Sequence, residues 1–205
     1  CGVPVDALMA ELCHKATGVN GGRSGAALVT LPNERFIGEN SIVGAGGPVA
    51  CGAALSAQLD GIDAVTVVSF GGGATSQGGL HESLVFAASK NLPVIFVCEN
   101  NAWSEMTPTS RILRTKRLAV RASGYGIKGA TIDGTDPVAV RDTVALAREE
   151  LLRGNGPVLL ECVVPRLWGH YNRDIEHYRS KNDRQDAFDR DPLQRLEKLL
   201  ISKGL

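Results

Sequence analysis

The chain has 205 residues with 22 basic and 22 acidic side chains, giving a formal net charge of zero at pH 7. That balance leaves no electrostatic footprint for nucleic acid or an anionic membrane surface. A hydrophobic content of 43% is ordinary for a globular chain able to bury a sizeable core, and no apolar run approaches the roughly 20 residues needed to span a bilayer.

Residues 1–12 carry neither an initiator Met nor a basic segment ahead of a signal-like apolar core. A chain lacking some N-terminal residues is therefore expected. Five cysteines are present (Cys1, Cys13, Cys51, Cys98 and Cys162), an odd number with no C-x-x-C pair. Cys98 and Cys162 sit inside apolar runs, where a thiol behaves as a small hydrophobe. A reduced, cytoplasmic protein is expected, not a metal or disulfide framework.

Taken in order, Val3 to Lys15 reads as a helix with Pro4 in its first turn and an apolar stripe through Val5, Leu8, Met9 and Leu12. The glycine-rich stretch Thr17–Gly25 ends it and carries Arg23. Ala26 to Phe36 is ambiguous, an extended piece broken at Pro32. Ser41 to Pro48 is a tight turn before a helix over Val49–Leu59. Gly52, Ala53, Ala54 and Ala57 give that helix a small-residue face, suited equally to subunit contact or to core packing.

The central stretch runs from Val65 to Pro108. Val65–Phe70 is a short β-branched run, as for a parallel strand covered on both faces. Gly71, Gly72 and Gly73 permit a sharp turn and a close approach to a ligand. Gly78–Lys90 has Leu80, Leu84 and Ala87 at helical spacing, and Val94–Val97 is a second buried strand. Glu99, Asn100 and Asn101 are expected just past its end. Ligands bind at that edge of open α/β sheets, so the loops after Phe70 and Cys98 should share one rim. A glycine turn opening a helix suits phosphate. Neither the Walker pattern nor G-x-G-x-x-G is present, and a plain strand-to-helix connection fits the glycines as well. Adjacent Asn residues supply neutral oxygens suited to a magnesium ion carrying a diphosphate.

Met106 to Arg121 is irregular and basic, with Arg111, Arg114, Lys116 and Arg117, either a solvated loop or a surface for a partner or acidic substrate. Gly129–Ile132 reads as a strand, Pro137–Arg153 as a helix with Val140, Val144, Ala147 and Leu151 on one face, and Pro157–Val164 as a buried strand. This alternation predicts an α/β fold, a doubly wound, mostly parallel sheet with helices on both faces, in a single domain over residues 1–205. Arg166 to Arg179 follows a strand end and holds His170 in a loop. Residues 180–191 read as a charged linker to an amphipathic helix over Pro192–Lys203. His14, His81 and His177 have no supporting pattern.

The run GGGATSQG, followed by HESL, KNLPVIFVCENN, GHYNRD and YR, resembles the alpha subunit of thiamine-diphosphate-dependent 2-oxoacid and acetoin dehydrogenases, over nearly the whole chain. The resemblance implies the thiamine-diphosphate-binding fold and oxidative decarboxylation of a 2-oxo acid, or cleavage of acetoin, with thiamine diphosphate and Mg2+. It places the Asn101 side chain and the Trp103 backbone on the metal, 29 positions after Gly72 in the case of Asn101. It puts Gly71, Gly72, Gly73, Ala74 and Ser76 at the diphosphate, and the backbone of Ser41 and Val43 at the aminopyrimidine. The Arg23 loop would line the cofactor entrance. His170 would donate a proton or stabilise charge, and Arg166 would neutralise it. The activating glutamate would come from a beta subunit, implying an α2β2 heterotetramer, with a lipoyl-bearing acyltransferase as a further partner. Two positions depart from the pattern: Gly72 stands where the family has a metal-ligating Asp, and Leu28 where it has an active-site His. A non-catalytic structural or regulatory paralogue is therefore the alternative, and a lyase for an unusual oxo acid a third option. Tyr171 and Arg173 occupy the places of regulatory serines, so no phosphorylation switch is expected.

Overall fold

The computed structural model describes residues 2–205. Where the sequence suggests one domain, the chain divides into two compact units, Cys1–Gly46 and Gly47–Leu205.

In the first unit, helix α1 spans Val5–Leu12, five residues shorter than the periodicity predicts. Its apolar stripe faces solvent, with Val5 73%, Met9 52% and Leu12 40% exposed, and the one buried residue of the helix is Glu11. The reason is the loop that follows. Glu11 accepts hydrogen bonds from the backbone N–H of Asn20 (2.8 Å), Gly22 (2.8 Å) and Ser24 (2.7 Å) and from the Ser24 hydroxyl (2.7 Å). Residues 17–25 thus wind around a carboxylate. Gly18 permits the approach, since a Cβ there would lie 2.6 Å from Glu11 Cα. Burial alone would push this carboxyl up, but the Ser24 hydroxyl and the three N–H groups hold it at about 2, below its ordinary 4.5. Residues 26–36, ambiguous in sequence, form a 3-10 turn over Pro32–Glu34 closed by a Leu31–Phe36 bridge.

The second unit opens with helix α2, Gly46–Leu59, then strand β1, Thr66–Gly71, helix α3, Gly78–Lys90, and strand β2, Val94–Asn100. Two short strands, β3 (Trp103–Ser104) and β4 (Thr107–Pro108), form an antiparallel pair. Then come β5 (Lys128–Asp133), helix α4 (Pro137–Leu152), β6 (Val158–Val163), and helices α5 (Lys181–Asp189) and α6 (Pro192–Ser202). The main sheet has the order β1-β2-β6-β5, with every pair parallel.

Strand alternation sorts the core into two layers. Val68, Val94, Phe96, Cys98 and Leu159 pack with Ala50, Cys51 and Ala54 of α2 and Leu80, Leu84 and Ala87 of α3. Ile95, Val158 and Leu160 pack with Ala147 and Leu151 of α4. Helices therefore cover both faces, as the doubly wound reading requires. Full burial of a side chain such as Phe96 stabilises by about 1.5–3 kcal/mol. Of the small-residue face expected on α2, only Ala54 is buried; Gly52 is exposed and Ala50 and Cys51 take the core positions.

Two boundaries differ from expectation. Glu99 and Asn100 are the last residues of β2, not part of the loop beyond it. The charged segment after Ser180 is not a linker: Lys181–Asp189 is α5, because Ser180 caps it by accepting from the Asp183 N–H at 3.0 Å. Helix α6 buries none of its residues and is tied by a polar clamp instead. The Arg195 guanidinium donates to Asp133 (2.7 Å), Asp136 (2.7 Å) and the Thr135 hydroxyl (3.0 Å). The Thr135 hydroxyl and Arg195 hold the Asp133 carboxyl at about 2.

A single carboxylate joins three strands. Glu161, in the middle of β6, is 0% exposed. It accepts from Asn100 Nδ2 on β2 (2.7 Å), from Thr131 Oγ1 on β5 (2.8 Å) and from the Ala119 N–H (3.0 Å) in the 3-10 segment Leu118–Tyr125. Burial pushes its carboxyl up, but the Asn100 amide, the Ala119 and Leu118 N–H groups and Thr131 outweigh that and hold it below the ordinary range.

Replacing Glu161 by Ala orphans these donors and should cost about 3 kcal/mol in chemical denaturation, with Glu161→Gln costing less. A folded carboxyl held below its unfolded value contributes stability that is present above the unfolded pKa and is lost as pH falls towards the folded one. For Glu11 that window runs from about 4.5 down to about 2. The protection of the backbone amides of residues 17–25 against hydrogen exchange should therefore fall as pH drops across this window, and the Glu11→Gln variant should abolish that pH dependence.

Candidate functional site

Strands β1 and β2 end side by side, with Gly71 in register with Glu99. Beyond Gly71 the chain enters a 3-10 turn, Gly72–Ser76, which the Thr75 hydroxyl closes by donating to the Gly72 carbonyl at 2.6 Å. Gly71 itself is extended, at φ −77° and ψ 162°, and none of the three glycines has positive φ. Left-handed freedom is thus not why glycine stands here. At Gly73 the reason is space, because a Cβ would come within 2.9 Å of Ser104 Cβ. Gly72 is buried, and a Cβ there would meet Asn100 Oδ1 at 3.3 Å and Leu118 Cδ1 at 3.4 Å. A side chain fits at this position if those neighbours give by a few tenths of an ångström.

The second loop is set by the two asparagines. Asn100 is committed twice: its amide donates to Glu161 and its oxygen accepts from the Ala102 N–H at 3.1 Å. Asn101 Oδ1 accepts from the Trp103 N–H at 3.0 Å. Ala102 and Glu105 take left-handed backbone, φ 64° and 49°, which folds β3 back onto β4. The hairpin thereby carries Trp103 and Ser104 against the Gly72–Ser76 turn.

The third loop follows β6. The Arg166 guanidinium lies 5.6 Å from the ring centres of both Trp103 and Tyr178, and it donates two hydrogen bonds of 2.6 Å to the Glu105 carbonyl. Trp103 and Tyr178 meet edge-on at 5.2 Å. Arg166 Nε is buried and has no hydrogen-bond partner. Asp174 accepts from the Tyr178 hydroxyl, the His170 N–H (2.8 Å) and the Glu176 N–H (2.9 Å). The Tyr178 hydroxyl leads among the causes that hold Asp174 at about 2. Arg179 is almost wholly buried, paired with Glu176 and Asp183 at 2.6 Å each and donating to the Arg166 carbonyl at 2.7 Å. The loop is therefore held from within by ionic contacts.

Asn101, Trp103 and Arg166 line one open cavity of about 580 Å³ at the carboxyl edge of the sheet. Of the basic cluster read from sequence as a solvated loop or a surface for a partner or acidic substrate, Arg114, Lys116 and Arg117 line it as well, and Arg111 does not. The glycine turn does not: Gly72 and Ala74 are buried behind Asn100 and Leu118, Gly73 is half-buried, and Gly71 and Ser76 are exposed. His170 is exposed on its loop and does not line the cavity. Ser41, Val43, Arg23 and Leu28 belong to the other unit and are all exposed there. Among the described residues, no group of three or more His, Cys, Asp or Glu side chains is placed to hold a metal ion.

Sequence reasoning missed Glu161, although its signal was present: it is the only charge in the run PVLLECVV. It also missed the packing of Arg166 against Trp103 and Tyr178, for which 63 residues of separation from Trp103 to Arg166 leave no local pattern.

The dehydrogenase E1 component family matches residues 1–205, the whole chain. The alpha subunit of acetoin:2,6-dichlorophenolindophenol oxidoreductase from Bacillus subtilis is 38% identical over 98% of this chain and 61% of its own length. The 2-oxoisovalerate dehydrogenase subunit alpha of the same organism is 35% identical, again over 98% and 61%. The pyruvate dehydrogenase E1 component subunit alpha of Zymomonas mobilis is 34% identical over 100% of this chain and 58% of its own. The chain thus spans about three-fifths of the length of these relatives. With a family match from end to end and relatives above 30% identity, this chain belongs to the dehydrogenase E1 component family.

Proposed function

We propose that this chain is the cofactor-gripping part of an E1 alpha subunit that oxidatively decarboxylates a 2-oxo acid, or cleaves acetoin, with thiamine diphosphate. The observation that carries the reading is the convergence of Asn101, Trp103 and Arg166 on one cavity at the sheet's carboxyl edge. An anionic diphosphate fits that cavity, because Arg166 holds a fixed positive charge in its lining. Magnesium fits it less well. That ion takes six oxygens at about 2.0–2.1 Å and favours carboxylates. Here Gly72 provides none, leaving the neutral oxygens of Asn101 and the Trp103 carbonyl.

Thiamine diphosphate, when bound, supplies a nucleophilic ring carbon and an electron sink for the carbon–carbon bond that breaks. The chain's own residues bind and orient. Arg166, held against two rings and on the Glu105 carbonyl, neutralises negative charge without reorganising. Asp174 holds the turn that presents His170, whose ring would give a proton to the oxygen of the former oxo group. The glutamate that activates the cofactor would come from a beta subunit, in an α2β2 assembly, and a lipoyl-bearing acyltransferase would receive the product. The unpaired, buried thiols of Cys51, Cys98 and Cys162 support a reducing, cytoplasmic setting.

A second reading is favoured by Gly72 and by Leu28, a leucine 56% exposed at a position where the family carries a His. In it the chain is a non-catalytic subunit that keeps the fold and the partner surface.

Calorimetric titration of thiamine diphosphate with magnesium into the chain plus its beta subunit separates these readings. The natural chain should bind, and the Gly72→Asp variant, which restores a charged group at that position, is titrated alongside it. Binding by the variant alone would favour the non-catalytic reading, and binding by neither form ends the cofactor assignment. In an active assembly His170→Ala should lower kcat about 100-fold with the cofactor Kd unchanged.

A further inference from the structure

The family's metal-bridged grip on the diphosphate does not match the donors this chain presents. Gly72 has no carboxylate, and its buried backbone lies against Asn100, whose amide and oxygen are both already bonded, to Glu161 and to the Ala102 N–H. The side-chain oxygen of Asn101 accepts from the Trp103 N–H. No acidic cluster able to hold a cation occurs among the described residues.

The same cavity is rich in positive charge. Arg114, Lys116 and Arg117 line one side, and Arg166 and Arg190 line it too. None of these five takes part in an ion pair among the described residues. Of the two acidic residues lining the cavity, Asp183 is already paired with Arg179, and Asp186 is the other. The buried Arg166 Nε donates to nothing. A site built in this way repels a divalent cation and attracts an anion with several oxygens. Guanidinium groups match phosphoryl oxygens in a two-pronged geometry that a point charge does not.

We propose that Arg114, Lys116 and Arg117, with Arg166, bind the pyrophosphoryl group in this chain directly, without a bridging metal ion. The inference rests on the thiamine-diphosphate reading and specifies how that site grips its anion. All of these residues lie within the single unit Gly47–Leu205.

The test is calorimetric titration of inorganic pyrophosphate into the 205-residue chain at low ionic strength with EDTA present. Binding should be seen without magnesium, should weaken on adding salt, and should weaken about ten-fold or more in the double variant Arg114→Ala/Arg117→Ala. Both arginines are exposed and outside any ion pair, so the variant should unfold at the same temperature as the natural chain. Pyrophosphate binding that appears only with magnesium overturns the proposal. So does undiminished binding by the double variant. In either case the titration of thiamine diphosphate with magnesium and the beta subunit would still be positive, so the cofactor reading survives. Failure of pyrophosphate and of thiamine diphosphate under every condition overturns both.

Discussion

The Glu161 carboxylate, buried between three strands and a 3-10 segment, is the constraint on which the cavity's geometry depends. A desolvated charge in a sheet is costly unless each lone pair is met. Here it is met by amide and hydroxyl groups and not by a cation, so the charge stays on the acid and the donors are fixed around it. One of them is Asn100, the last residue of β2. Fixing that amide fixes the point at which the chain leaves the sheet, and so where Asn101 and Trp103 begin. The Ala119 N–H, another donor, fixes the start of the segment whose preceding residues, Arg114 to Arg117, line the cavity.

From that anchor the site is assembled by loops from the ends of three parallel strands. The β2 loop supplies neutral oxygens and an indole and the β6 loop a guanidinium beside that indole, while the β1 glycine turn packs against the β3 strand without lining the cavity. The second and third loops are joined by Arg166, whose hydrogen bonds to the Glu105 carbonyl and stacking on Trp103 tie residues far apart in sequence. This is the usual logic of open α/β sheets, in which variable loops on a constant edge carry the chemistry. What is particular here is the charge balance: five basic side chains outside any ion pair among the described residues line the cavity, against two acidic ones of which Asp183 is paired with Arg179.

The fold was legible because its signals are local. Val94–Val97 is a continuous β-branched and aromatic run, and Gly78–Lys90 has helical spacing, so both elements were located to within a few residues. Pro137 marked the start of α4, and the structure adds Asp136 as its cap. The failures have physical causes as well. The stripe on α1 follows helical periodicity yet faces solvent, since burial there is decided by hydrogen bonds to Glu11 and not by apolar area. Residues 181–189 look like a linker by composition, and only the Ser180 cap and the ion pair from Arg179 to Asp183 make a helix of them. In the site, Asn101 and Arg166 could be singled out because each follows a predicted strand end. Their meeting could not be seen from sequence, because stacking across the sheet leaves no spacing to count.

The near-contact between Gly73 and Ser104 has an evolutionary corollary. A Cβ at position 73 would clash with the Ser104 side chain, whose Cβ would lie 2.9 Å away, while Ser104 Cα at 3.4 Å would be in ordinary contact. Drift at Gly73 is therefore tethered to the side chain that a hairpin some thirty residues away presents. Lineages that gain a side chain at the first place must reshape the second, and the two should be inherited as a pair.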